Sequence, residues 1–412
     1  MNNIQVAFSG ASAGKAPADL PAGIRAASLI DHFGVDGDKI AAVRINNEIL
    51  PLSVKIEVNA EAEAVSLESP EGAMIYRRSL AFMLAIAARE LFPERSLYVG
   101  HSLGNSYYYT FTTGKKPSGK DIAKLRERML SIVQEDRPIE YKSLSYRDAL
   151  DLFNKNNQAD TKLLLDQRSE PVIRVNECGS YADLYIEPLV PRTGILTAFD
   201  LMEYREGFLL RFPAVGRGNI IDPFEDSPGI FAVYDEYKKW GRIVGVHAVG
   251  SLNRLVSSRA VRDYIRIAEA FQAKKISDIA EKIWKKRESV KIILIAGPSS
   301  SGKTTSAKRL SIELMVTGIK PIAISLDDYY MGVEKTPKDE KGEPDFECLE
   351  ALDVSFLNEQ LLALLDGNEI TLPLYDFKTG KRKKTGGRKI KLDRRTMLIV
   401  EGIHGLNDAL TP

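Results

Sequence analysis

The chain has 412 residues, with 57 Lys plus Arg against 56 Asp plus Glu and a formal net charge of +1. Its 44% hydrophobic and 27% charged residues are globular in character. They exclude a disordered chain, a polybasic nucleic-acid coat and a polybasic membrane binder.

Cys178 and Cys348 are too few for a disulfide framework and point to a reducing, cytoplasmic setting. No run reaches ~18 apolar residues, and the first residues lack the basic and apolar regions of a secretory leader, so no membrane partner is expected. The length predicts several domains.

In chain order, Ile40–Asn47 and Leu52–Val58 predict two strands joined by a turn. The three- and four-residue spacing of apolar positions predicts a helix over 76–92, stopped by Pro93, and another over 120–134 through Ile122, Leu125, Met129 and Ile132. Residues 170–231 read as short strands with Gly and Pro punctuation. Residues 258–287 read as a helical connector with a stripe of Ile276, Ile279, Ile283 and Trp284. Val290–Ala296 is then a nearly continuous apolar run of the kind found in buried parallel strands.

That run leads into Gly297, Pro298, Ser299, Ser300, Ser301, Gly302, Lys303, Thr304 and Thr305, the G-x-x-x-x-G-K-[ST] pattern of a phosphate-binding loop. Such a loop turns backbone N–H groups around phosphate oxygens. The following helix aims its positive end at them, the Lys neutralises charge and the Thr hydroxyl reaches Mg²⁺. Two further apolar strands, Pro321–Leu326 and Met397–Val400, end in Asp327-Asp328 and in Glu401. Ligands of open α/β sheets lie beyond the carboxyl ends of the strands, so the loop, Asp327 and Glu401 are expected to converge. Two carboxylates beside a triphosphate can hold Mg²⁺, and one can take a proton from an attacking hydroxyl.

From about 291 to 410 the chain resembles the uridine/cytidine kinase and phosphoribulokinase group. Ser325-Leu-Asp327-Asp-Tyr-Tyr330 is similar to that group's segment carrying the base and metal-binding Asp. Asp345-Phe346-Glu347 is similar to the segment that places a carboxylate on ribose hydroxyls, Pro373-Leu-Tyr375-Asp376-Phe377 to the nucleoside-binding Y-D-F, and Val400-Glu401-Gly402 to the strand bearing the acidic Mg²⁺ partner.

The resemblance implies ATP and Mg²⁺, with Lys303 and Asp327 catalytic. It implies Thr304, Asp327 and Glu401 on the metal, and Tyr330, Phe346, Glu347, Tyr375, Phe377 and Arg382 around the acceptor. Gly380 stands where the nucleoside kinases carry a base-reading His. The Lys and Arg of 378–395, including Lys383, Lys384, Arg388 and Arg394, suggest a basic hairpin near the site. The sequence stops at Pro412, ahead of the arginine-bearing lid helices, so the kinase domain is expected to be incomplete.

Residues 1–230 resemble the N-terminal part of threonyl-tRNA synthetases, a TGS-like β-grasp followed by the second additional, or editing, domain. The stretches are Gly100–Asn105 and Tyr185–Gly194. Where the family pattern would place four ligands stand His101, Asn105, Tyr185 and Leu189, so no zinc or editing site is expected there. The expected order is a TGS-like domain at 1–68, the synthetase-like α+β module at 69–231, a connector at 232–288 and an α/β kinase domain with a parallel sheet at 289–412.

The function expected is transfer of the γ-phosphoryl of MgATP to a nucleoside-like hydroxyl. The alternatives are a non-nucleoside alcohol acceptor, or a nucleotide-responsive regulator or RNA-binding adaptor. A homo-oligomer is an open expectation.

Overall fold

The computed structural model describes residues 3–9, 17–111, 116–383 and 386–411. It divides into two compact units, Met1–Arg259 and Ala260–Pro412, so the division falls inside the 232–288 stretch read as a connector. No helix among the described residues is long and apolar enough to cross a membrane.

The first unit opens with a five-stranded sheet in the order Ala18–Pro21, Asn3–Ser9, Ala60–Ser66, Ile40–Ile45, Glu48–Leu50. Asn3–Ser9 runs parallel to Ala60–Ser66, and the other neighbours are antiparallel. Helix Ala26–Phe33 covers it, burying Leu29, Ile30 and Phe33 in one cluster with Val6, Phe8 and Val43. Here the structure departs from the expected hairpin. Ile40–Ile45 turns at Asn46 and Asn47, both at positive φ, into the short Glu48–Leu50, and only Lys55–Ile56 of the expected second strand is extended. The central partner is instead Ala60–Ser66, whose alternating Ala and Glu carry little strand propensity.

Helix Pro70–Leu91 begins earlier than its apolar stripe, because Ser69 accepts a hydrogen bond from the Gly72 N–H at 3.0 Å and Pro70 occupies the first turn. Helix Gly119–Glu135 has a capping box of Ser118 and Asp121 and buries Ile122, Leu125, Met129 and Ile132. Both pack on the sheet Asp200–Tyr204, Gly207–Arg211, Ser106–Phe111, Leu97–Ser102 through one cluster containing Met83, Met129, Phe208 and Phe212. Helices Pro228–Ile243 and Val249–Ser257 close the unit.

The second unit opens with helix Val261–Lys285. Its Ala280 is buried with Ala307, Leu310 and Leu314 of helix Lys303–Val316, and Ile276 and Ile283 pack alongside. Ile279 and Trp284, expected on the same stripe, are 46% and 39% exposed. Three parallel strands follow in the order Ile292–Ala296, Thr396–Gly402, Lys320–Ser325. Helix Val354–Leu365 covers the other face, with Leu357, Leu361 and Leu364 in a cluster with Leu398 and Val400. This parallel sheet flanked by helices is the expected α/β architecture.

Candidate active site

The site starts at the carboxyl edge of the parallel sheet. Thr396–Gly402 lies between the other two strands, and its register sets Glu401 opposite both Ile295 and Ser325. Immediately beyond Ile292–Ala296 the chain turns tightly. A Cβ on Gly297 would stand 2.6 Å from Ser301 Oγ, so a side chain there would push the Ser301 hydroxyl out of its place in the loop. Gly302 has φ +86° and Ser300 φ +60°. The left-handed Gly302 starts helix Lys303–Val316, whose free N–H groups and positive end face the loop.

Lys303 folds back over the loop and donates from Nζ to the Pro298 carbonyl at 2.9 Å. The Thr304 hydroxyl donates to Glu401 Oε1 at 2.9 Å. Asp327 lies in the 3₁₀ turn Leu326–Tyr329 just past Lys320–Ser325, where the Ser325 hydroxyl caps its N–H. Although the residue is exposed, loss of water around its carboxylate raises its pKa above the ordinary aspartate value. The charge of Glu401 raises it further, and Lys303 opposes the shift. The three strand ends thus bring together Lys303, Thr304, Asp327 and Glu401 as expected.

A hydroxyl and two mutually repelling carboxylates are hard oxygen donors, which suits Mg²⁺. Among the described residues no group of three or more His, Cys, Asp or Glu could hold a metal ion. The fit is therefore to an ion that takes one or two carboxylates and completes its shell with phosphate oxygens and water.

The expected acceptor residues surround Tyr330. Its ring meets Phe346 at 5.3 Å, Tyr375 at 5.6 Å and Phe377 at 6.5 Å between centroids, all inclined edge to face. Its hydroxyl donates to the Phe346 carbonyl at 3.0 Å, and burial, then the charge of Asp327, push its pKa up to about 12. Phe377 is 68% exposed and Glu347 is exposed.

Arg382 stands behind this wall. It donates to the carbonyls of Tyr329 at 2.7 Å and Tyr330 at 3.0 Å and to Asp353 at 3.0 Å, so its guanidinium ties the Tyr329-Tyr330 backbone to Asp353. Sequence reasoning missed two supports. Asp328 accepts the Tyr375 N–H at 3.1 Å, and Tyr329 donates to Gln360 at 2.9 Å. The doubled Asp327-Asp328 was the available signal for the first.

Of the basic hairpin, Lys381 pairs with Glu334 and Lys383 faces Asp376 at 3.9 Å; Lys384 lies outside the described residues.

In the first unit the four ligand positions fall in separate surroundings. His101 stacks on Tyr234 at 4.4 Å, and burial, then Lys238, lower its pKa. Asn105 accepts from Arg77, Tyr185 packs on Tyr141, and Leu189 is in the core.

Comparison with known proteins matches residues 292–410 to the Phosphoribulokinase / Uridine kinase family. The N-terminal region is similar to threonine–tRNA ligases. One from Symbiobacterium thermophilum is 29% identical over 186 residues, 45% of this chain and 29% of that protein. Threonine–tRNA ligase 2 of Bacillus subtilis is 33% identical over 164 residues, 40% of this chain and 26% of that protein. The matches span only 26% to 29% of these two curated relatives. A solved structure described as a possible uridine kinase from Bacillus stearothermophilus is 29% identical, with a TM-score of 0.25, covering 31% of this chain and 71% of that one. Residues 292–410 are thus a phosphoribulokinase/uridine kinase family domain, preceded by a region related in sequence to threonine–tRNA ligases.

Proposed function

We propose that the second unit transfers the γ-phosphoryl group of MgATP to a hydroxyl of a nucleoside-like acceptor. The observation that carries this reading is the Thr304–Glu401 hydrogen bond, which joins the phosphate loop to the acidic strand end within reach of Lys303 and Asp327. In this reading the 297–305 backbone and Lys303 bind the triphosphate, and Thr304, Asp327 and Glu401 hold Mg²⁺. When bound, that ion offsets charge on the transferring phosphoryl group. Asp327 accepts the proton of the acceptor hydroxyl, and its raised pKa suits a base working near neutrality. In this reading Tyr330, Phe346, Tyr375 and Phe377 form the acceptor wall, Glu347 takes the ribose hydroxyls, and Arg382 holds the wall through its bonds to Tyr329, Tyr330 and Asp353.

Asp327→Asn tests the assignment. Acceptor-dependent ADP release should fall by a factor of about 10² or more while the triphosphate still binds. Unchanged turnover would sink it. A second reading keeps the kinase with a non-nucleoside alcohol as acceptor, and Gly380 favours it because it presents no side chain to a base. The TGS-like and editing-like half serves, in this reading, as a binding or regulatory module. Salt-sensitive RNA binding without turnover would instead favour an adaptor.

A further inference from the structure

We propose that the second unit carries a further nucleotide-binding cleft, at the opposite end of its parallel sheet from the phosphate loop. The proposal does not depend on the phosphotransfer reading above.

The cleft holds about 970 Å³ and lies where the three strands begin, with Lys291, Ile319 and Thr396 in its wall. The turn that enters the central strand is tied down. Asp393 accepts the Arg395 N–H and the Thr396 hydroxyl, both at 2.8 Å, and Lys291 donates to the Arg394 carbonyl at 3.2 Å. Arg394 and Arg395 thus line the cleft from a fixed backbone.

Their charge is not spent within the fold. The two carboxylates of the lining are matched elsewhere, Asp393 with Lys320 at 3.3 Å and Glu288 with Arg287 at 3.5 Å. Helices Val261–Lys285, Lys303–Val316 and Val354–Leu365 all end here, and their carbonyl ends favour cations. Arg287 answers the first by donating to the Trp284 carbonyl at 2.9 Å. Arg394 and Arg395 are exposed, and neither guanidinium has a partner among the described residues.

The same cleft exposes flat apolar surface. Trp284 and Leu365 are 39% and 47% exposed, and the Arg287 guanidinium lies over the Trp284 ring at 4.2 Å. A bare phosphate would leave Trp284 and Leu365 in water, and a neutral apolar molecule would leave two guanidinium groups unused. A nucleotide answers both demands. Its phosphates suit the planar fork of arginine, and its base covers the aromatic side.

Trp240→Phe leaves Trp284 as the sole indole of the intact protein. In that protein ATP should quench Trp284 fluorescence. The affinity should stay within about twofold in Lys303→Ala and fall roughly tenfold or more when Arg394→Glu and Arg395→Glu are combined. Pyrophosphate and adenosine each carry half of the ligand, and each should bind roughly tenfold or more weakly than ATP. No quenching by millimolar ATP, quenching abolished by Lys303→Ala, or pyrophosphate binding as tightly as ATP would overturn the proposal. Should Trp240→Phe not fold, calorimetric titration of Lys303→Ala with ATP decides. A binding heat abolished by the two Arg→Glu substitutions is expected, and one that they leave unchanged overturns the cleft.

Discussion

Thr304 and Glu401 are 97 residues apart in sequence yet share a hydrogen bond, because the central strand delivers the acid to the mouth of the phosphate loop. The same closeness sets the electrostatics of Asp327. Glu401 adds to the desolvation that raises its pKa, and Lys303 subtracts. In nucleotide-free protein, an NMR titration of the Asp327 carboxyl should therefore give a pKa above the ordinary value. Glu401→Gln should lower it and Lys303→Ala should raise it further; shifts of the opposite sign would contradict the arrangement. The linkage sign follows. With the folded pKa above the unfolded one, the unfolded chain loses its proton first as pH rises. Stability therefore falls through the window between the two values, and Asp327→Asn removes that fall. At this scale the sequence was most informative: the phosphate loop is contiguous and each glycine answers a local demand. The Arg382 bonds to Tyr329, Tyr330 and Asp353 were not legible, since they arise from segments folding together.

At the scale of elements, helix Val354–Leu365 ties the site to the sheet. Asp353 caps it by accepting the Phe356 N–H at 3.1 Å and also receives Arg382 at 3.0 Å. Asp353→Ala removes both and should cost about 1–3 kcal/mol in chemical denaturation. Asp353→Asn keeps a capping side chain and should recover about half of that loss. Equal losses would mean that the cap contributes nothing. Elements with strong apolar periodicity, such as Gly119–Glu135, were readable nearly to their ends. Ala60–Ser66 was not, because small side chains suit a crowded sheet interior without advertising a strand.

At the scale of the whole molecule, the chain joins a kinase-family domain to a region related to threonine–tRNA ligases, each with its own buried clusters. The apolar stripe of Val261–Lys285 predicted a helix but not which unit it joins. Ala280 and its neighbours place it on the kinase side. In the other half, the His101 ring stacks on Tyr234, a contact between residues 133 positions apart that no local pattern announces.

The direct test of the central claim is ADP release from MgATP by the intact protein across nucleosides and other alcohols, with Lys303→Ala as control. Release that depends on an acceptor and disappears in Lys303→Ala is the expected result. MgATP binding with no acceptor-dependent ADP, or release that survives Lys303→Ala, would contradict a phosphotransferase centred on this loop.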